Sequence, residues 1–194
     1  YGTEALHVMR AEKGFIMIGD ETDGTVIPQD LGLDWAISKK KEDFIGKRAQ
    51  LRDFLQSDER WKLVGLKTID PTVILPDGSY AIDDDLNKYG HKNMIGRVTS
   101  SYYSPTLERS IAFALVHKGP ERMEEVLNFP NLDGTVTKAV ICDPIFYDKE
   151  GKSIRKLPGF RVLKPSTPSK FKSPRTMTVS VNPERHPMDS GDDS

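Results

Sequence analysis

The chain is predicted to be α+β, with a mixed portion of helix, extended chain and loop over residues 1–58, a β-barrel over 59–161 and a disordered tail over 162–194. Three observations predict it. Apolar residues recur at helical spacing near the start and switch to strand spacing from Trp61 onward. Short apolar runs then follow one another between turn residues, which argues for a barrel or a sandwich. From about Val162, Pro165, Pro168, Pro174, Pro183 and Pro187 are interleaved with Ser, Lys, Arg and Asp. Such a stretch buries too little apolar surface to offset the entropy lost on ordering it.

The elements are read in order. Ala5, Leu6 and Met9 share a helical face over 2–12, with Thr3 as its cap and Gly14 as its stop. Phe15-Ile16-Met17-Ile18 is bounded by glycines and reads as strand or extended chain. Residues 19–24 form a turn-rich loop, and Pro28 to Gly32 is irregular. Trp35-Ala36-Ile37 reads as a buried strand with Trp35 as a core anchor. A second helix opens at Asp43 and runs through Ala49, Leu51 and Leu55 to about Ser57. Strands are expected at 62–67, 72–75, 93–99, 110–116 and 136–142 and around Arg155, with a turn at Pro76-Asp77-Gly78 and a helical turn within 120–128. Tyr102-Tyr103-Ser104-Pro105 reads as a turn that packs the barrel against the preceding portion.

Composition excludes several function classes. A net charge of -1 leaves no electrostatic footprint for nucleic acid. Lys39-Lys40-Lys41 is balanced by Glu42 and Asp43, as on a solvated face. The single cysteine, Cys142, allows neither an internal disulfide nor a Cys-rich zinc site, and it fits a reducing, cytoplasmic setting. No apolar run approaches the ~20 residues that span a bilayer, and no signal-peptide pattern opens the chain. The acidic loop 19–24 lacks the ligand spacing of a calcium loop. His7, His91, His117 and His186 are dispersed, so no zinc or nucleophilic site is supported, and no Gly-x-Gly-x-x-Gly follows a strand.

Two blocks of motif carry a resemblance. The first is Met9-Arg10-Ala11-Glu12-Lys13-Gly14, Gly19-Asp20-Glu21, Thr25-Val26-Ile27-Pro28, Gly32-Leu33-Asp34-Trp35 and Asp43-Phe44-Ile45-Gly46-Lys47. The second is Gly96-Arg97-Val98-Thr99-Ser100-Ser101, Ser104-Pro105-Thr106-Leu107 and Ile111 to Val116. They resemble the aminomethyltransferase family, the T-protein of glycine cleavage and its relatives. The wording of 4–14 and of Asp143-Pro144-Ile145-Phe146-Tyr147-Asp148 resembles the branch formed by the alpha subunits of heterotetrameric sarcosine oxidases. The resemblance implies that 1–58 is the later portion of a folate-binding domain and 59–161 the family's C-terminal β-barrel. It also implies that tetrahydrofolate is bound and receives a one-carbon unit from an oxidised methylamine. FAD, FMN and NAD would serve the full complex, and beta, gamma and delta subunits would be partners. Two other readings stay open: a stand-alone aminomethyltransferase working with a lipoyl carrier protein, and a non-catalytic folate-binding scaffold.

The resemblance places the pterin-reading carboxylate on Glu12. A carboxylate can accept two neighbouring N–H donors of a pterin edge with charge assistance. Read alone, Glu12 is an ordinary surface glutamate paired to Arg10 or Lys13. Arg10 lies two positions earlier, about 200° round a helix, and is expected to brace structure by pairing with an acidic residue of the following loop. Lys41 is the lysine expected to meet the folate's glutamate tail, where some family members have an Arg. No residue matches the family's catalytic carboxylate, which lies in the earlier half of its module. The chain opens at Tyr1 without an initiator Met and reaches the first motif within a dozen residues. It is therefore expected to be a fragment, inactive without the remainder of its polypeptide.

Overall fold

The run Ile111-Ala112-Phe113-Ala114-Leu115-Val116 has no polar face to give to water, so the strand it forms needs cover on both sides. The computed structural model, which describes residues 2–155, shows how that cover is arranged. Six antiparallel strands build the body: β1 (Trp61–Thr68), β2 (Tyr80–Leu86), β3 (Lys92–Ser104), β4 (Arg109–His117), β5 (Val126–Pro130) and β6 (Val136–Cys142). They close into a barrel in the order β1-β4-β3-β2-β5-β6, with β6 returning to pair with β1 from Gly65↔Cys142 to Thr68↔Ala139. Closure leaves no unpaired sheet edge. Val64, Leu66, Val98, Ala112, Ala114, Phe129 and Ile141 belong to one buried cluster. The alternate residues of β4, Ile111, Phe113 and Leu115, form a second cluster with Leu63 and Ala11, against which Ile16, Val26 and Leu31 pack. The segment before the barrel is therefore its outer cover.

That cover starts with helix α1 (Thr3–Glu12), which buries only its last turn: Arg10, Ala11 and Glu12. Gly14 then turns the chain at φ 79°, and a Cβ there would lie 2.7 Å from Ile145 Cγ1. Two arginines, Arg10 and Arg60, hold the cover in place through ion pairs. Arg10 Nη1 donates to Glu21 Oε2 at 2.6 Å, and Nη2 donates to Asp20 Oδ2 at 3.0 Å and to the Tyr102 hydroxyl at 3.1 Å. Glu21 also accepts from Met17 N, Thr99 Oγ1 and Ser100 Oγ at 2.7, 3.2 and 2.5 Å, so its oxygens are paired with donors from both the cover and β3. Further along, Arg60 Nε donates to Asp30 Oδ1 at 2.9 Å, and its Nη2 reaches the Thr25 carbonyl at 2.7 Å.

Several elements differ from their sequence reading. The cap of α1 is Gly2, with no side-chain bond, rather than Thr3. Of the two readings of Phe15–Ile18, strand or extended chain, the strand is absent: there is only an isolated bridge between Ile18 and Thr22, with Ile18 exposed. Trp35 lies in a single 3-10 turn, Asp34–Ala36, and is 80 % exposed, so it is no core anchor. The second helix is two one-turn pieces, α2 (Lys47–Gln50) and α3 (Asp53–Gln56). The first is capped by Gly46 rather than Asp43. Residues 72–75 are not a strand, though Leu75 is buried, and β2 stands where no strand was expected. Val126-Leu127 opens β5, and the helical turn lies earlier, at Gly119–Glu121. The chain around Arg155 is the helical turn α4 (Lys152–Arg155). Tyr102, Tyr103 and Ser104 are still strand, and the turn begins at Pro105. The tail 162–194 lies outside the described residues.

Removing one partner of a buried ion pair strands the other charge, at a cost of about 3–5 kcal/mol. Arg10→Ala should therefore destabilise the chain by about that amount in urea unfolding. A loss under about 1 kcal/mol, the scale of an exposed pair, would show that the pair does not hold the cover.

Candidate functional site

The last turn of α1 sends its two charged side chains to different places. Arg10 points to the loop 19–24 and Tyr102, as expected of a bracing residue. Glu12 points to the end of β3. It is 6 % exposed, and a carboxylate at that depth needs partners. Its Oε1 accepts the Ser104 hydroxyl at 2.6 Å, and Ser104 Oγ accepts the Leu107 N–H at 3.0 Å. Its own carbonyl oxygen accepts from Phe146 N at 3.0 Å and Tyr147 N at 2.8 Å. The barrel thus holds Glu12 at both backbone and side chain. Neither Arg10 nor Lys13 pairs with it: Lys13 Nζ donates to the Asp148 carbonyl at 2.6 Å.

Glu12 Oε2 has no hydrogen-bond partner among the described residues. Glu12 lines a groove of about 280 Å³ walled by Ala5, Val8 and Met9 of α1 and by Tyr103 and Pro105 of the barrel. A mostly apolar groove with one buried carboxylate, Glu12, and one exposed carboxylate, Glu4, suits a flat ring that offers N–H donors at its edge. Its volume is at the lower limit of small-molecule sites, about 300–1,000 Å³, so it would hold part of a ligand.

Lys41 lies in the irregular stretch before α2 and is exposed. It does not line the Glu12 groove, so the structure does not bring the two expected site residues together. The loop carboxylates are already engaged. Besides Asp20 and Glu21 on Arg10, Asp23 Oδ1 accepts the hydroxyl and the N–H of Thr25 at 2.6 and 2.7 Å. The Thr25 bonds, side chain first, with Arg97 assisting, hold the Asp23 carboxyl below the usual carboxylate range. A larger groove of about 520 Å³ lies elsewhere, between Trp61, Tyr80, Met94 and Arg97. Ser104 is the residue that sequence reasoning missed. Its Ser104-Pro105-Thr106-Leu107 step stands in the second motif block, but nothing in the sequence assigns Ser104 a partner there.

A closed six-stranded antiparallel barrel, with a helical cover that brings one buried carboxylate to the mouth of a groove, is the class defined so far. Residues 62–148 match the family model of the glycine cleavage T-protein C-terminal barrel domain. The chain is 43% identical over 152 residues to the sarcosine oxidase subunit alpha of Corynebacterium sp. (strain P-1), covering 78% of this chain and 16% of that protein. It is 39% identical over 155 residues to the Rhizobium meliloti (strain 1021) subunit, covering 79% and 16%. It is 33% identical over 153 residues to the aminomethyltransferase of Clostridium botulinum (strain Loch Maree / Type A3), covering 78% and 39%. The crystal structure of glycine cleavage system aminomethyltransferase T from Bartonella henselae shares the fold. It gives a TM-score of 0.62 at 23% identity over 75% of this chain and 38% of that one. The chain thus spans about a sixth of the sarcosine oxidase relatives and under half of the aminomethyltransferase. Among the described residues no helix is long and apolar enough to cross a membrane.

Cys142 sits in β6, where burial pushes its thiol up to about 11, Lys67 and Arg109 opposing and Asp143 adding to the shift. Folding therefore favours the protonated thiol. This contribution to stability is complete below an unfolded value near 9 and is lost as pH rises through about 11. Alkylation of the folded chain should be slow at neutral pH, with a thiolate titration midpoint about two pH units above that of the urea-unfolded chain. Equal midpoints would contradict this half-buried placement.

Proposed function

We propose that this chain supplies the pterin-reading part of a tetrahydrofolate site in a sarcosine oxidase alpha subunit. On this reading residues 1–58 are the later portion of a folate-binding domain, and 59–161 are the barrel that backs it. One observation carries the proposal. Glu12 is the residue that the motif resemblance assigns to the pterin, and its carboxylate lines the groove with Oε1 held by Ser104 and Oε2 without a hydrogen-bond partner among the described residues. The donors of a pterin edge would meet that oxygen and the remaining lone pair of Oε1, while Met9 and Tyr103 flank the ring. The identity to sarcosine oxidase alpha subunits favours this branch over a stand-alone aminomethyltransferase.

Bound tetrahydrofolate would supply two nucleophilic nitrogens to the methylene carbon of the imine formed from sarcosine. Two folate N–H bonds become N–C bonds, glycine leaves, and both protons end on its nitrogen. The oxidation that forms the imine belongs to a flavin elsewhere in the complex. FAD, FMN, NAD and the beta, gamma and delta subunits are partners of the whole enzyme. What this chain contributes is position: Glu12 orients the pterin so that the nitrogens are presented in place. The groove holds the ring edge alone, so the remainder of the polypeptide supplies the rest of the pocket and the general base. Lys41, exposed before α2, is the proposed cation for the glutamate tail, acting as a point charge rather than a bidentate fork.

In the full-length polypeptide, Glu12→Gln replaces an acceptor with a group carrying an unwanted donor. Tetrahydrofolate affinity measured by calorimetry should fall by roughly 1.5–3 kcal/mol, the scale of hydrogen bonds to a charged group. Unchanged affinity would sink the assignment. Lys41→Ala should weaken a polyglutamylated folate more than a monoglutamate, by up to about 1 kcal/mol for an exposed charge pair. Equal losses for the two ligands would remove Lys41 from the site.

A further inference from the structure

We propose that Ser104 of the barrel is the positioning residue for Glu12, so that the barrel, and not α1 alone, sets how the pterin edge is read. The inference rests on the folate reading above and adds a second residue to it. Ser104 is fully buried at the last position of β3, in register with Arg109 of β4. Its hydroxyl has one proton to give. The Leu107 N–H can only donate, so it takes the acceptor side of Ser104 Oγ at 3.0 Å. The Ser104 proton is thereby directed to Glu12 Oε1, 2.6 Å away. The short chain from Leu107 N–H through Ser104 to Glu12 therefore has one possible direction.

This arrangement bears on binding as well as packing. A free glutamate samples several rotamers, and a ligand that meets it must order them. Here Oε1 is already held by the barrel, and the main-chain carbonyl of Glu12 is fixed by Phe146 N and Tyr147 N. The remaining oxygen is left with its direction set before a ligand arrives. The groove itself has one wall from α1 and one from the end of β3 and the turn that follows Ser104. Separating α1 from the barrel would remove both the wall and the orientation. A purely structural role, in which Ser104 only ties the turn through Leu107, predicts something different: loss of the hydroxyl would then act on binding whether or not Glu12 is a carboxylate.

A double-mutant cycle separates the two, using the full-length polypeptide and 5-formyltetrahydrofolate as a stable reduced-folate probe. Ser104→Ala should weaken binding about tenfold, the scale of one hydrogen bond to a charged group. Ser104→Thr, which keeps the hydroxyl, should restore affinity to within about twofold, the usual limit of additivity. In the Glu12→Ala background, which leaves no side-chain acceptor for Ser104 at residue 12, Ser104→Ala should change affinity by less than about twofold. An equal loss in both backgrounds, or wild-type affinity in Ser104→Ala, overturns the positioning role while leaving the folate reading intact. Wild-type affinity in Glu12→Gln alone overturns both. If Ser104→Ala fails to fold, Ser104→Cys takes its place. Its weaker donor should give an intermediate loss that again vanishes in the Glu12→Ala background, and a loss that persists there overturns the proposal.

Discussion

The structure depends on one buried pairing, that of Arg10 with Glu21. β4 is apolar on both faces, so its outer face needs a cover, and the segment 2–31 supplies it. Apolar contact alone does not fix the angle at which a short helix lies on a barrel. The Arg10 guanidinium does, because it bonds Glu21, Asp20 and the Tyr102 hydroxyl together. Its plane also lies 5.5 Å from the ring centres of both Tyr102 and Phe113. Glu21 in turn is bonded by Thr99 and Ser100 of β3. One ion pair therefore crosses from helix to loop to barrel. With it in place, Glu12, two residues on, has little freedom left and meets Ser104.

Much of this was legible in the sequence. The run 110–116 announced a strand covered on both sides, and the change of period at Trp61 marked where the barrel begins. The opposition of Arg10 and Glu12 on a helix followed from their spacing, and Arg10 does pair with the loop that follows. What failed was local pattern without a neighbour to support it. Phe15–Ile18 reads as strand or extended chain, and it forms no strand because the closed barrel has no edge left for it to pair with. Trp35 looked like an anchor because large aromatics usually are, yet it lies on a single 3-10 turn, four-fifths exposed. β2 was hidden because Ile82-Asp83-Asp84-Asp85-Leu86 is acidic and low in strand propensity. It is held by pairing with β3 and β5 instead.

Of the proposed site, the sequence points to Glu12 and not to its partner. Glu12 stood out through its motif, and its burial against Ser104 explains why a carboxylate there is stable. The partner was invisible, because no local rule links residue 12 to residue 104 across the fold. Glu12 and Lys41 were named together but stand apart. Sequence places them in one motif block, whereas the chain between them runs through a loop, two 3-10 turns and an exposed irregular stretch.

Hydrogen–deuterium exchange on the full-length polypeptide, with and without tetrahydrofolate, tests the central claim most directly. A pterin held between α1 and the β3–β4 turn should slow exchange at the last turn of α1 and at Leu107, whose N–H bonds Ser104. Exchange around Trp61, Tyr80 and Arg97, at the larger groove, should stay as it was. Protection at that larger groove, with none at α1 or Leu107, would contradict the account.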